Sequence, residues 1–353
     1  MIRRHTSWSV LCLVALAAVI ARADDIQTGA QADVVWSERS PLSTLDAVAG
    51  RMGASPAGAR NSGKEVEYDL KNETFELYVP RSYTGQDRWG LLVWISPGPG
   101  GQAPQDLYGL LDKHKLLWAG PNKAGNERIP WIRIGLALDA AHNMKAKYKI
   151  DENRVYIAGV SGGGRVSSMI GVAFPDVFQG GIYIIGTNFY RDVPTADGKY
   201  WRKTFGAPPA AIFTLARKRS RHVILEGETD MNRDQAKANF EQFKADGFQH
   251  VTYLEAPGVG HQRPSPEWME KAILALEAPP PADLPIKPTT APAAATKAAD
   301  DGDEAAKLLR MAKVYLQNDM KPQARDRLEK ITREFPSSPS AKEAKKLLEE
   351  LPR

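Results

Sequence analysis

Short apolar runs alternate with longer amphipathic stretches through the central part of the chain. The apolar runs predict strands buried on both faces of a sheet, and they cover residues 91–95, 116–119, 155–158, 181–185, 222–225 and 251–254. Helices are predicted over residues 132–148, 165–173, 235–245 and 266–276. This alternation predicts an α/β fold with a doubly wound, mostly parallel sheet that is covered by helices on both faces.

The N-terminal flank of this region has a different pattern. Residues 65–70 and 74–79 alternate polar and apolar positions, which predicts an antiparallel hairpin. Residues 24–62 are rich in Ala, Gly, Ser and Asp and show weak periodicity, so we expect a loosely structured leader there. The main folded domain is therefore expected to cover residues 63–277.

Beyond the main domain the composition changes twice. Residues 278–300 are rich in proline and alanine, which is typical of an extended linker. Helical periodicity returns in residues 301–353, where positions 305, 308, 309, 312 and 316 share one face. We therefore expect a small all-α C-terminal appendage of two or three short helices.

The first residues have the pattern of an export signal. Arg3 and Arg4 precede an apolar run over residues 10–20, and an Ala-Arg-Ala sequence ends at Ala23. We expect residues 1–23 to be a cleaved signal peptide and the mature protein to be exported, to the periplasm or the medium. The single cysteine, Cys12, would leave with the signal, so the mature chain would form no disulfide.

Composition excludes several classes of function. The chain is 42% hydrophobic and 25% charged, as is ordinary for a globular protein. Its net charge of +5 is spread along the chain without a long basic run, which argues against a nucleic-acid partner. After the signal, no apolar stretch is long enough to span a bilayer, so no membrane span is expected.

The strongest chemical signal surrounds Ser161. A β-branched and aromatic run enters the G-x-S-x-G pentapeptide of residues 159–163, and a predicted helix follows. A strand, a sharp turn and a helix in this order are typical of a nucleophile elbow, which exposes a serine hydroxyl. Ser161 is therefore the candidate nucleophile.

A serine hydroxyl needs a general base, which in turn needs an orienting acid. His261 follows the last predicted strand on a glycine-rich loop and is the candidate base. Asp230, on the loop after the preceding strand, is the preferred acid, and Glu228 on the same loop is the alternative. The alternative role for Asp230 is to cap the helix that follows it.

An oxyanion hole needs two converging N–H groups. Gly162, the residue after the nucleophile, is expected to supply one of them. The second is expected from the turn after the strand 91–95, where Pro97 and Pro99 have no N–H to offer. This leaves Gly98 and Gly100 as open alternatives.

Polar and aromatic residues near predicted strand ends are candidates for a substrate-binding surface. Tyr190 and Trp201 lie in the long irregular segment 187–211, Trp268 follows the candidate base, and Asn126 follows the strand 116–119. The sequence has no metal-ligand cluster, phosphate loop or dinucleotide fingerprint, so neither a metal nor a cofactor is expected.

Taken in order, four motifs resemble those of the α/β-hydrolase superfamily. They are the sequences beginning Pro97-Gly-Pro-Gly-Gly, Gly159-Val-Ser-Gly-Gly, Gly227-Glu-Thr-Asp and Gly258-Val-Gly-His. Residues 64–277 are most similar to secreted esterases related to polyhydroxybutyrate depolymerases and to feruloyl or acetylxylan esterases. The resemblance implies an α/β-hydrolase fold and the Ser161, Asp230 and His261 triad. The family usually has His-Gly-x-Gly-Gly at the oxyanion turn, and here proline stands in place of that histidine.

The C-terminal appendage resembles a short tetratricopeptide-type array, on the residues around Ala312, Ala324, Phe335 and Ala341. It covers little more than one repeat, and such arrays normally need about three repeats to be stable alone. A plain helical appendage is the alternative. The resemblance implies a protein partner that binds this tail.

These observations favour an exported serine esterase that acts on a small-molecule or polymer-linked ester. One alternative is an envelope scaffold or binding protein with a degenerate hydrolase fold and a partner-recruiting tail. Another is a serine peptidase.

Overall fold

The structure is a computed structural model that describes two parts of the chain. The first consists of residues 26–61, 65–195 and 198–277. In the second, the described residues are 305, 308, 309, 312, 316, 321–336 and 338–350. The chain divides into two compact units after Asp283. The predicted signal peptide and the predicted linker lie outside the described residues.

A single large sheet runs through the first unit. Its eight strands are β1 (Gly29–Val34), β2 (Phe75–Val79), β3 (Trp89–Ile95), β4 (Leu116–Pro121), β5 (Ile150–Val160), β6 (Gly180–Ile184), β9 (Arg221–Gly227) and β10 (Val251–Ala256). The order across the sheet is β1-β2-β4-β3-β5-β6-β9-β10. All neighbours from β4 to β10 are parallel, and β2 is antiparallel to both β1 and β4. A separate two-stranded ribbon joins β7 (Val193–Pro194) and β8 (Tyr200–Trp201).

Helices cover both faces of the sheet. They are α1 (Leu45–Arg51), α2 (Pro56–Arg60), α3 (Tyr108–Lys113), α4 (Pro130–Lys147), α5 (Gly162–Ala173), α6 (Ala210–Lys218), α7 (Arg233–Ala245) and α8 (Pro266–Glu277). Leu91, Val93 and Ile95 of β3 join the core under α4, α5 and α7, whereas Leu92 and Trp94 join the core under α3 and α8. A strand buried on both faces has to be apolar at every position, which explains the unbroken apolar runs. The predicted α/β-hydrolase architecture is confirmed.

The predictions of a hairpin over residues 65–79 and of a loosely structured leader over residues 24–62 are wrong. β2 pairs with β1 and β4, so its antiparallel partner β1 comes from the leader. Residues 65–70 form no strand, because Tyr68 turns toward α4 and donates its hydroxyl to the buried Asp139 at 2.5 Å. The same carboxylate accepts the N–H of Ser40 at 2.7 Å, which fixes the leader against the domain.

The second unit has a small core of its own. Its two fully bounded helices are α9 (Lys321–Glu334) and α10 (Pro339–Glu350). The buried residues of this core are Ala305, Leu308, Leu309, Ala312, Leu328, Ile331, Ala341 and Ala344. The apolar periodicity of the tail therefore corresponds to helix faces that pack together. Within the described ranges of both units, no helix combines the length and apolar character needed to cross a bilayer.

Candidate active site

Ser161 occupies a sharp turn between β5 and α5. Its backbone angles are φ 54° and ψ −119°, in a region that residues with a Cβ rarely adopt. The turn is tightly packed, since a Cβ on Gly163 would overlap the carbonyl oxygen of Ile95. A Cβ on Gly159 would lie 2.6 Å from that same oxygen. The glycines of the pentapeptide are therefore required by the close approach of β3, and the serine side chain is presented at the apex.

Three predicted residues form one hydrogen-bonded series. The Oγ atom of Ser161 lies 2.9 Å from Nε2 of His261, and Nδ1 of His261 lies 2.7 Å from Oδ2 of Asp230. Ser161 follows β5, Asp230 follows β9 and His261 follows β10. Because these strands are parallel, their carboxyl ends lie at the same edge of the sheet, and residues 100 positions apart in sequence meet there.

The acid of this series is Asp230 and not Glu228. The side chain of Asp230 is fully buried, and its second oxygen, Oδ1, accepts the backbone N–H of Asn232 at 2.6 Å. Glu228 points elsewhere and accepts the N–H of Gly258 at 2.8 Å from an exposed position. With both oxygens of Asp230 engaged, the carboxylate holds the imidazole in one orientation, with Nε2 facing the serine.

Two ionisable residues close to the series were missed by the sequence analysis. Glu226, the last side chain of β9 before Gly227, is fully buried, and burial followed by the charge of Asp230 raises its pKa to about 8. Arg165 lies one turn into α5, and its burial lowers its pKa. Arg165 donates to the side-chain oxygen of Asn232 at 2.9 Å, so it braces the loop that carries Asp230. A charged residue within an otherwise apolar helix was the available signal for Arg165.

The turn after β3 has few free N–H groups. Gly98 donates its N–H to Oγ of Ser96 at 3.1 Å, and Gly101 donates its N–H to Oδ1 of Asn122 at 2.9 Å. A Cβ on Gly100 would overlap the side-chain oxygen of Gln102. Gly162 is the first residue of α5, and its N–H therefore has no acceptor within the helix.

Asn126 lies between that turn and Ser161. It belongs to the connection between β4 and α4, and its N–H donates to the carbonyl oxygen of Pro97 at 2.9 Å. Its carboxamide lies against Gly162, because a Cβ placed on Gly162 would overlap Oδ1 of Asn126 and lie 2.9 Å from Nδ2. The structure thus brings Asn126, predicted as a substrate-binding residue, beside the residue that follows Ser161.

The prediction that Tyr190 lines the substrate is wrong. Tyr190 is 6% exposed and stacks on Phe189 with ring centroids 4.3 Å apart. Its hydroxyl donates to Asp246 at the end of α7. The aromatic residues at the start of segment 187–211 therefore fill the core under α7, which a strand-end position alone could not reveal.

Trp201 and Trp268 lie on different elements. Trp201 is on β8, opposite Val193, and is 38% exposed. Trp268 lies on α8, where Nζ of Lys271 is 3.9 Å from the ring centroid. Within the described part of the chain, no hydrogen bond or ring contact joins either tryptophan to the Ser161, His261 and Asp230 series. In the same ranges, no three His, Cys, Asp or Glu residues are grouped so that they could hold a metal ion.

No protein-family model and no curated protein sequence matches the chain. Solved structures that are similar to it include a thermostable esterase, which is 17% identical with a TM-score of 0.39, over 58% of this chain and 58% of the esterase. Est1E from Butyrivibrio proteoclasticus is 13% identical with a TM-score of 0.41, over 59% of this chain and 94% of Est1E. LpqC, a poly(3-hydroxybutyrate) depolymerase from Bordetella parapertussis, is 20% identical with a TM-score of 0.44, over 59% and 87% of the two chains. The match to the thermostable esterase thus spans less than two thirds of that protein.

Proposed function

We propose that this protein is a serine hydrolase that cleaves carboxylic esters through an acyl-enzyme intermediate. The observation that carries the proposal is the unbroken series from Ser161 Oγ through His261 to the buried carboxylate of Asp230, with separations of 2.9 Å and 2.7 Å. The strained backbone of Ser161 supports the proposal. Such strain persists only where the surrounding structure enforces it, and strained residues cluster at active sites.

The chemistry follows from the roles of the three groups. Oγ of Ser161 attacks the ester carbonyl carbon while Nε2 of His261 takes the hydroxyl proton. Asp230 stabilises the imidazolium that results, and the N–H of Gly162 faces the developing oxyanion. Collapse of the tetrahedral intermediate transfers the proton from His261 to the leaving alcohol. Water then attacks the acyl-serine by the same route, which releases the carboxylic acid and restores Ser161.

The site is open, which bears on the kind of ester that fits. Ser161 is partly exposed, and the side chain of His261 is 34% exposed. A partly exposed nucleophile leaves room for an ester of a bulky or polymeric alcohol as well as for an ester of a small alcohol. We propose such esters as substrates and, from the sequence of residues 1–23, an exported location.

Active-site labelling tests the proposal without a guess at the substrate. The purified protein is treated with a fluorophosphonate and analysed by intact mass, beside Ser161→Ala and the control Ser37→Ala. Ser37 is an exposed serine in the N-terminal segment. We expect one adduct on the wild type and on Ser37→Ala, and none on Ser161→Ala. Folded wild-type protein that forms no adduct would refute the proposal.

A matched pair of substrates tests whether the protein also cleaves amides, as a peptidase must. Hydrolysis of p-nitrophenyl acetate is compared with that of the corresponding p-nitroanilide, with Ser161→Ala as the blank for each. We expect ester turnover to exceed amide turnover by several orders of magnitude. Comparable rates would replace the esterase assignment with a peptidase.

A further inference from the structure

The turn after β3 offers few backbone donors for a second contact to an oxyanion. Pro97 and Pro99 have no N–H. The N–H of Gly98 already donates to Ser96, at 3.1 Å, and the N–H of Gly101 already donates to Asn122, at 2.9 Å. Using the N–H of Gly98 or of Gly101 would first require an existing hydrogen bond to break, so within residues 97–101 only the N–H of Gly100 has no acceptor among the described residues.

Asn126 is exposed and lies where this turn approaches Ser161. Its backbone is fixed to the turn through the 2.9 Å hydrogen bond to Pro97. The preceding residue packs equally closely, since a Cβ on Gly125 would lie 2.8 Å from the carbonyl oxygen of Gly98. The carboxamide of Asn126 then projects onto Gly162, the residue that supplies the first oxyanion donor.

The carboxamide of Asn126 is available to donate a hydrogen bond to a substrate. Among the residues that the structure describes, no protein group forms a hydrogen bond with its Oδ1 or Nδ2 atom. A half-turn of the amide group exchanges these two atoms without breaking any such bond, which brings an N–H to the face of Gly162. A neutral amide donor is suited to an oxyanion, because it stabilises the charge and cannot transfer its proton.

We propose that Asn126 is a catalytic residue whose side-chain N–H forms the oxyanion hole together with the backbone N–H of Gly162. The inference rests on the proposed function, since it assigns a role in the acyl transfer begun by Ser161. In this arrangement a side chain from the connection between β4 and α4 replaces the second backbone donor.

The test compares two variants of Asn126 with a matched control. Asn126→Ala removes the donor, and Asn126→Asp keeps the shape but replaces the donor with a negative oxygen. Asn153→Ala is the control, since Asn153 is an exposed asparagine near the other end of β5. Hydrolysis of p-nitrophenyl acetate gives kcat and KM, and thermal melting reports folding.

We expect both Asn126 variants to lower kcat by about 100-fold or more, with KM and the melting temperature close to those of the wild type. Asn153→Ala should retain full activity.

Two results would overturn the inference in different ways. If the wild type shows turnover that depends on Ser161 and Asn126→Ala keeps at least a third of its kcat, the role of Asn126 is refuted while the hydrolase proposal stands. The second donor would then be the backbone at Gly98 or Gly100. If the wild type itself shows neither turnover nor a fluorophosphonate adduct, the hydrolase proposal fails and the oxyanion role fails with it.

Discussion

Ser161→Gly should make the protein more stable than Ser161→Ala. Both substitutions delete the hydroxyl and its 2.9 Å contact with His261, so this loss cancels when the two variants are compared. They differ in the Cβ, which alanine retains at φ 54° and ψ −119°. Glycine adopts these angles without steric strain, so the comparison isolates the backbone strain at Ser161.

The size of the difference follows from two opposing terms. A non-glycine residue in a sparsely populated backbone region costs about 1–3 kcal/mol. Against this, glycine destabilises the folded protein by about 0.5–1 kcal/mol relative to alanine, because glycine loses more conformational freedom on folding. Ser161→Gly should therefore be more stable than Ser161→Ala by about 0–2.5 kcal/mol, with a central value of about 1 kcal/mol. For a domain of this size, a difference of about 1 kcal/mol raises the melting temperature by about 2–4 °C.

Differential scanning calorimetry of the full-length variants measures the effect on the transition of the first unit. The pair Ser37→Gly and Ser37→Ala is the control, because Ser37 has no positive φ. At position 37, the glycine variant should be as stable as the alanine variant or less stable. A Ser161→Gly variant that melts at or below the temperature of Ser161→Ala would refute the claim that the turn holds strain.

Three further predictions concern the surroundings of the site. Asp230→Asn should lower kcat by about 10⁴-fold in an ester hydrolysis assay. Glu228→Gln should have little effect on kcat in the same assay. If Glu228→Gln lowered kcat more than Asp230→Asn did, Glu228 would be the acid that orients His261. The pKa of Glu226 is raised to about 8 in the folded protein. Protonation of Glu226 therefore contributes stability that is fully present below the ordinary pKa of a glutamate and is lost as the pH rises toward 8. Glu226→Gln should flatten the dependence of unfolding free energy on pH between about 5 and 8, and an unchanged slope would contradict the shift. A Cβ on Gly101 would overlap the backbone of β4, whereas one on Gly109 would meet nothing within 4 Å. Gly101→Ala should therefore lower both the melting temperature and kcat while Gly109→Ala lowers neither, and equal melting temperatures would contradict the close packing of the turn.

The sequence predicted the centre of the sheet well because burial leaves a strong local signal there. Strands such as β3 are apolar throughout, since both of their faces are covered. The turn at Ser161 was equally readable, because the close approach of β3 demands glycine on either side of the serine. The positions of Asp230 and His261 then followed from the ends of successive strands.

The edge of the sheet was not readable in the same way. β1 has the sequence Gly-Ala-Gln-Ala-Asp-Val, which has little intrinsic preference for a strand, and it forms through its pairing with β2. Tyr190 was misplaced for a related reason. Its burial against Phe189 and its hydrogen bond to Asp246 depend on α7, an element about fifty residues further along the chain.

The strand that leads to His261 is the outermost one on its side of the described sheet, and five of its six residues are only partly buried. Edge elements with few buried contacts open locally at a lower free energy than the whole domain unfolds. If β10 detached in this way, His261 would be withdrawn while Ser161, held on a central strand, stayed in place. In dilute urea the protein should therefore become inactive before its secondary structure is lost, and activity would be regained as soon as this one strand reattached.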